Sequence, residues 1–177
     1  MKREDLYGLA AEFAHHTELI HAAEEAYARG YRKMDGYTPF PIEGLAEALG
    51  KRKRMPLLVL LAGILAGCTA YFMEWYANVV SYPLNIGGRP VHSWPSFIPI
   101  TFELTVLGAS LTAFFFSLGL SGLPKPYHPM FNLQEFERAS QDRFFLCIEA
   151  DDTLFDEKDT RTFLEGLEPI VVKEVLK

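Results

Sequence analysis

Cysteine is scarce in this chain, with two among 177 residues, Cys68 and Cys147. They are far apart in sequence and form neither the CxxC spacing of many metal and redox sites nor the CxxCH motif that attaches haem. Cys68 lies inside a long apolar run, and Cys147 lies in a second apolar stretch. We therefore expect no disulfide in this protein.

Positive charge is also limited, because 17 Lys and Arg stand against 23 Asp and Glu for a formal net charge of −6. Binding to nucleic acid needs Lys and Arg clustered on one face, so this balance argues against a nucleic-acid partner. The one basic cluster, Lys51-Arg52-Lys53-Arg54, comes directly before an apolar run.

Motifs of catalysis and metal binding are missing from the sequence. No GxSxG or HExxH pattern occurs, and His15, His16 and His21 lack an acid or thiol placed to complete a metal site. We interpret the three histidines as surface residues. The sequence predicts no catalytic, cofactor-binding or metal-binding residue.

Two uncharged apolar runs occupy the middle of the chain, Met55 to Met73 and Leu104 to Leu123. As helices each would extend roughly 30 Å, the thickness of a hydrocarbon core, so both predict transmembrane helices. The mean hydropathy of +0.05 hides this pattern because it averages an apolar middle with acidic ends. We expect a hairpin over residues 55–123, with an outer loop at about 75–96.

The basic residues near the two runs predict the orientation of the hairpin. Arg89 is the one Lys or Arg in the connecting loop, whereas six flank the other side: Lys51, Arg52, Lys53, Arg54, Lys125 and Arg138. Because positive charge is retained on the cytoplasmic side, both termini are predicted to be cytoplasmic.

The polar flanks carry alternating strand and helix patterns. The predicted strands and helices are Leu6–Phe13 (strand), Glu18–Arg29 (helix, with Thr17 as N-cap), Tyr31–Tyr37 (strand), Ile42–Leu49 (helix), Leu133–Ala139 (helix), Arg143–Glu149 (strand), Asp156–Leu167 (helix) and Ile170–Val175 (strand). The apolar segment RFFLCIE should be central in a sheet.

This βαβ, hairpin, βαβ order predicts an α+β membrane protein with a ferredoxin-like cytoplasmic domain. Residues 1–54 and 124–177 would form that discontinuous domain, and the hairpin would be inserted between its halves. Neither flank is large enough for a comfortable core of its own. Two loosely ordered flanks are the alternative, which fits poorly with the apolar RFFLCIE segment.

Two carboxylates, Glu74 and Glu103, are embedded in or adjoin the apolar runs. Counted from Phe97, Glu103 lies roughly 9 Å into its helix. A carboxylate in a membrane is costly unless it is paired, protonated or facing protein. We treat Glu103 and Glu74 as a candidate intramembrane proton or polar site. A simple hydrogen bond between helices, a part in proton movement and an ion pair with Arg89 or a partner remain open.

Helical spacing separates two faces of the second run. One stripe carries Glu103, Ser110, Ser117 and Ser121, and a set with Gly108 lies nearly opposite: Thr101, Thr105, Gly108, Thr112 and Gly119. Small residues allow helices to approach closely, so we assign helix packing to Gly63, Gly67, Gly108 and Ser110. Because one partner helix covers one face, we expect the other face to meet a different subunit.

The chain resembles the D subunit of bacterial alternative complex III, a membrane quinol to electron-acceptor oxidoreductase. The resemblance covers nearly the whole chain and rests on three segments: YTPFPIEGLAEALG, YPLNIGGRPVHSWPSFIPITFELTVL and RFFLCIEA. It implies a two-pass subunit of the bacterial cytoplasmic membrane without haem, iron–sulfur cluster or flavin. The implied partners are polytopic quinol-oxidising subunits and subunits with multiple haems or iron–sulfur clusters.

We therefore expect a non-catalytic structural subunit in an electron-transfer chain. Two other classes stay open at this stage. Hairpins of this kind could assemble into a small transporter or channel with Glu103 as its ion site. The chain could also be a membrane-anchored ligand-binding domain, an idea that rests on fold analogy alone.

Overall fold

A computed structural model describes residues 5–51 and 54–177 of the chain. The described residues form two compact units. The first comprises the described residues within Met1–Arg52 together with Pro126–Lys177, and the second those within Lys53–Lys125. Arg52 and Lys53 of the basic cluster lie outside the described residues, so the structure does not bear on that part of the orientation argument.

The elements follow one another along the chain as strands, helices and two short 3₁₀ segments. They are β1 (Leu6–Phe13), α1 (His16–Arg29), β2 (Met34–Tyr37), α2 (Leu45–Ala48), α3 (Met55–Trp75) with a π-helical continuation (Tyr76–Ser81), α4 (Trp94–Leu120), the 3₁₀ segments Pro129–Asn132 and Gln134–Ser140, β3 (Phe144–Glu149), α5 (Glu157–Glu165) and β4 (Val171–Leu176).

The four strands form one antiparallel sheet in the order β2-β3-β1-β4. This bears out the mixed α and β class and the four-stranded antiparallel sheet predicted from the sequence. The RFFLCIE segment supplies β3, which is central as expected. Strand β1, from the first flank, pairs with β3 and with β4, which both come from the second flank.

One face of the sheet packs against α1 and α5. Phe144, Leu146 and Ile148 alternate along β3 and contribute to this core, as side chains on one face of a strand must. The helices contribute three alanines and three larger residues, namely Ala22, Ala23, Ala26, Leu19, Phe163 and Leu164. The small alanines allow α1 to lie close to the strands.

The other face of the sheet is covered by the 3₁₀ segments. Phe145 and Cys147, the alternate residues of β3, pack with Met130 and Ala139 in a second cluster, and Met130 has no exposed surface. The predicted short helix over Leu133–Ala139 is not α-helical, because Gln134–Ser140 form a 3₁₀ segment. Both faces of the sheet are therefore buried.

Some predicted element starts differ from the structure, as at α2, which begins at Leu45 rather than Ile42. Two others differ for identifiable local reasons. Helix α1 begins at His16, with His15 rather than Thr17 as N-cap, because the Glu18 carboxylate accepts the backbone N–H groups of Ala14 (3.1 Å) and His15 (3.2 Å). Strand β2 begins at Met34 rather than Tyr31, and the backbone preceding it makes hydrogen bonds outside the strand ladder.

The second unit is a pair of long apolar helices. The helical segments Met55–Ser81 and Trp94–Leu120 each contain an 18-residue stretch of high mean hydropathy, 2.0 in the first and 1.6 in the second. In these stretches 11% and 6% of the residues are buried. By length and composition both helices can cross a membrane. Because so little of them is buried, they are not core helices of a soluble domain formed by the described residues. The connecting loop is shorter than predicted, since Trp75 lies in α3 and Trp94 begins α4.

Candidate functional site

Helices α3 and α4 pack through small residues that allow close approach. A Cβ added to Gly67 would lie 2.5 Å from Thr105 Oγ1, and one added to Gly108 would lie 2.5 Å from Ala66 Cβ. At Gly63 the nearest atom would be the Cβ of Ala109, at 3.6 Å. Two of these contacts leave no room for a methyl group, so the helix separation depends on glycine.

Glu74 faces α4 at the end of this contact that lies near the connecting loop. Thr101 Oγ1 donates to Glu74 Oε2 across 3.5 Å, a long hydrogen bond, and Thr105 Oγ1 donates to the Thr101 carbonyl at 2.7 Å. Glu74 is half-buried. Its position is that of a polar link between the two helices of one hairpin.

Glu103 lies on the other side of α4. It is exposed, as are Ser110 and Ser117, which follow it at seven-residue intervals on the same stripe. In the part of the chain that the structure describes, no hydrogen bond or ion pair involves the Glu103 carboxylate. The structure therefore does not bring Glu103 and Glu74 together, and Ser110 lies with Glu103 rather than with Gly108.

Glu103 is deeper in its helix than the sequence indicated. Because α4 begins at Trp94, Glu103 is about 13 Å from the helix start rather than roughly 9 Å. Leu107 is the middle residue of the 27-residue helix, and Glu103 is four residues away, about 6 Å along the axis. A membrane crossed by the whole helix would place this carboxylate in its apolar interior.

An aromatic cluster at the loop end of the hairpin is not among the sites predicted from the sequence. Tyr71 OH and His92 Nε2 are 2.9 Å apart, and both rings contact Phe97, which is 2% exposed. The helical spacing identified contacts along α3 and α4, but His92 lies in the loop. No periodicity could have assigned its partner.

Two tyrosine hydroxyls in the sheet unit pair with polar side chains. Tyr7 OH donates to Glu149 Oε1 at 3.0 Å, and Tyr37 OH lies 3.4 Å from His128 Nε2. Burial, and secondarily the negative charge of Glu149, raises the pKa of Tyr7 and of the Cys147 thiol above their ordinary values. A buried thiol with a raised pKa is a poor nucleophile and metal ligand.

The three histidines considered as metal ligands do not assemble a site. His15, His16 and His21 are exposed. Among residues 5–51 and 54–177, no group of three or more His, Cys, Asp or Glu is placed to hold a metal ion.

Fold and site together define a class of membrane protein in which an α/β domain carries two apolar helices with a mostly uncovered surface. A model of the family described as "Alternative complex III, ActD subunit" matches residues 7–174, so the chain belongs to that family. It is a subunit of an electron-transport complex of the respiratory chain, its partners include the other subunits, and a membrane location is indicated. A search of curated proteins found no match.

Proposed function

We propose that this chain is a cofactor-free structural subunit of the quinol-oxidising complex. Its hairpin packs against the polytopic quinol-oxidising subunits, and the sheet unit covers their cytoplasmic surface. The observation that carries this proposal is the surface of the hairpin. The two helices cover little of each other, because 11% and 6% of the residues in their apolar 18-residue segments are buried. The family to which the chain belongs is that of a subunit of a larger complex.

The proposed topology has two passes and cytoplasmic termini in the bacterial inner membrane. The positive residues around the hairpin favour it, with Arg89 in the loop and the larger group on the other side. We also assign the sheet unit to the ferredoxin-like arrangement. The strand order β2-β3-β1-β4 and the position of α1 and α5 against one face support that assignment.

In this proposal the redox centres belong to the multihaem and iron–sulfur subunits. Two observations support a chain without a redox centre of its own. The sequence has no CxxCH motif, and its two cysteines lie on different units. This chain is then a non-catalytic component of an oxidoreductase.

Purification of the full-length tagged chain from its native membrane in mild detergent tests the structural role. We expect haem-containing and iron–sulfur subunits to co-purify, seen as a haem absorption spectrum and as bands of defined stoichiometry. An untagged strain provides the control for adventitious binding. A monodisperse, colourless protein without companions would refute the proposal.

A part in proton movement is a second candidate, favoured by the depth and exposure of Glu103. Replacement Glu103→Gln removes the titratable group while keeping a similar shape. We expect slower proton-coupled quinol turnover in an intact complex, and Glu74→Gln is the matched control on the hairpin's inner contact. Unchanged turnover with full assembly would exclude this candidate and leave the structural role untouched.

A further inference from the structure

We propose that the stripe formed by Glu103, Ser110 and Ser117 binds a transmembrane helix of another subunit of the complex. That helix presents a hydrogen-bond donor to the Glu103 carboxylate. This inference rests on the proposed function and names the face of the hairpin and the chemistry of the partner that contacts it.

The hydroxyl groups of α4 indicate which face lacks a partner. On the side facing α3, Thr105 Oγ1 donates to the Thr101 carbonyl and Thr101 Oγ1 donates to Glu74. On the opposite side, the hydroxyls of Ser110 and Ser117 make no hydrogen bond within the described residues. The hydroxyls of Thr101 and Thr105 on one face are therefore bonded inside the hairpin, whereas those of Ser110 and Ser117 on the other face are not.

Lipid is a poor neighbour for this second face. Glu103 lies about 6 Å from the middle of α4, at a depth where hydrocarbon offers no hydrogen bond and a carboxylate is costly. Phe102 and Phe114 flank the stripe and are 65% and 59% exposed, so the surroundings are apolar. Helix α3 cannot provide a partner for Glu103, because it packs on the opposite side of α4.

The chemistry of a carboxylate decides what the partner must supply. An ionised Glu has acceptors only, so the partner side chain must donate, as Lys, Arg, His, an amide or a hydroxyl does. The serines at seven-residue intervals continue the contact along the helix and let a neighbour approach. A partner helix lying along α4 would satisfy all three side chains.

Photocrosslinking in the assembled complex tests the location of the contact. The variant Ser110→p-benzoylphenylalanine places the reactive group on the stripe, and Phe115→p-benzoylphenylalanine places it on another exposed face of α4. We expect Ser110 to crosslink to a different subunit and Phe115 to do so far less. A Ser110 product containing only lipid, or only a second copy of this chain, would overturn the proposal.

Two substitutions of the carboxylate test its chemistry. Glu103→Gln retains a neutral hydrogen-bond acceptor, so it should recover partner subunits less well than the unchanged chain and better than Glu103→Leu. Glu103→Leu should reduce the recovery of partner subunits roughly tenfold, as expected for loss of a hydrogen bond to a charged group. Normal recovery with Glu103→Leu would contradict the inference. Co-purification of the unchanged chain with its partners would, even then, support the proposed structural function.

Discussion

Asp152 shows how one carboxylate can determine where a strand begins. Its Oδ2 accepts the backbone N–H groups of Arg32 and Lys33, each at 2.7 Å, and its Oδ1 accepts that of Leu154 at 2.9 Å. Burial alone would raise the pKa of Asp152, but these hydrogen bonds lower it overall. The ionised form therefore holds the backbone just before β2.

Replacing Asp152 should loosen this loop. We expect Asp152→Ala to cost about 1–3 kcal/mol of local stability, because three backbone donors lose a charged acceptor. Hydrogen exchange of the Arg32 and Lys33 amides in the full-length chain measures the change. Exposed Asp151→Ala is the neighbouring control and should leave both amides as they were. Equal exchange in the two variants would contradict this role.

The same carboxylate predicts a pH dependence with a definite sign. Because the folded pKa of Asp152 is lowered, its stabilising contribution is present above the unfolded pKa of about 3.9. The contribution is lost as the pH falls through the folded value. After correction for intrinsic exchange rates, protection of the Arg32 and Lys33 amides should decrease below about pH 4. In Asp152→Ala that decrease should be absent.

At the scale of helices, the contact between α3 and α4 depends on glycine. Gly108→Ala puts a methyl group 2.5 Å from Ala66 Cβ, whereas a methyl group at Gly119 has no neighbour within 4 Å. We expect Gly108→Ala to destabilise the hairpin by about 1–3 kcal/mol through overpacking, against the gain in helix propensity that both variants share. Fluorescence of Trp75 and Trp94 during detergent-induced unfolding measures it. Equal midpoints for the two variants would show that the helices adjust freely.

The 3₁₀ segments are a second element whose role can be measured. Met130 is fully buried beside Cys147, whereas its neighbour Phe131 is 72% exposed. Met130→Ala should cost about 2–5 kcal/mol by leaving a cavity, and Phe131→Ala about 0.5 kcal/mol or less. With Cys68→Ser as background, the rate of thiol labelling at Cys147 reports opening of this face. Similar labelling rates in both variants would mean that the segment does not seal the sheet.

Elements that depend on periodicity could be predicted, and those that depend on distant partners could not. Strand β3 is recognisable as an apolar run, and the separation of Glu103 from Gly108 follows from helical spacing alone. By contrast, the start of β2 depends on Asp152, more than 100 residues away in sequence. Glu103 lies deeper than the count from Phe97 predicts, because α4 begins at Trp94, ahead of Pro95 and Pro99. Proline is tolerated in the first turn, and the helix continues past Pro99.

On the scale of the whole molecule, the two flanks supply neighbouring strands of one sheet. Strand β1 pairs with β3 from Gly8 to Phe13 and with β4 from Leu6 to Glu12, while β2 pairs with β3 and with no other strand among the described residues. The first flank on its own would therefore have β1 and β2 without β3, the strand that lies between them in the sheet. The second flank would have β3 and β4 separated by the space that β1 fills.

This arrangement predicts that the flanks fold together or not at all. Residues 1–52 and 126–177 expressed separately should each be largely unstructured, because neither can bury the shared core. The same residues joined by about ten Gly and Ser residues, which form a flexible connection, should recover strand and helix signals in far-ultraviolet circular dichroism. They should also show slow exchange at the β3 amides. An isolated flank with cooperative unfolding would contradict the prediction, since it would show that the hairpin separates two independent domains.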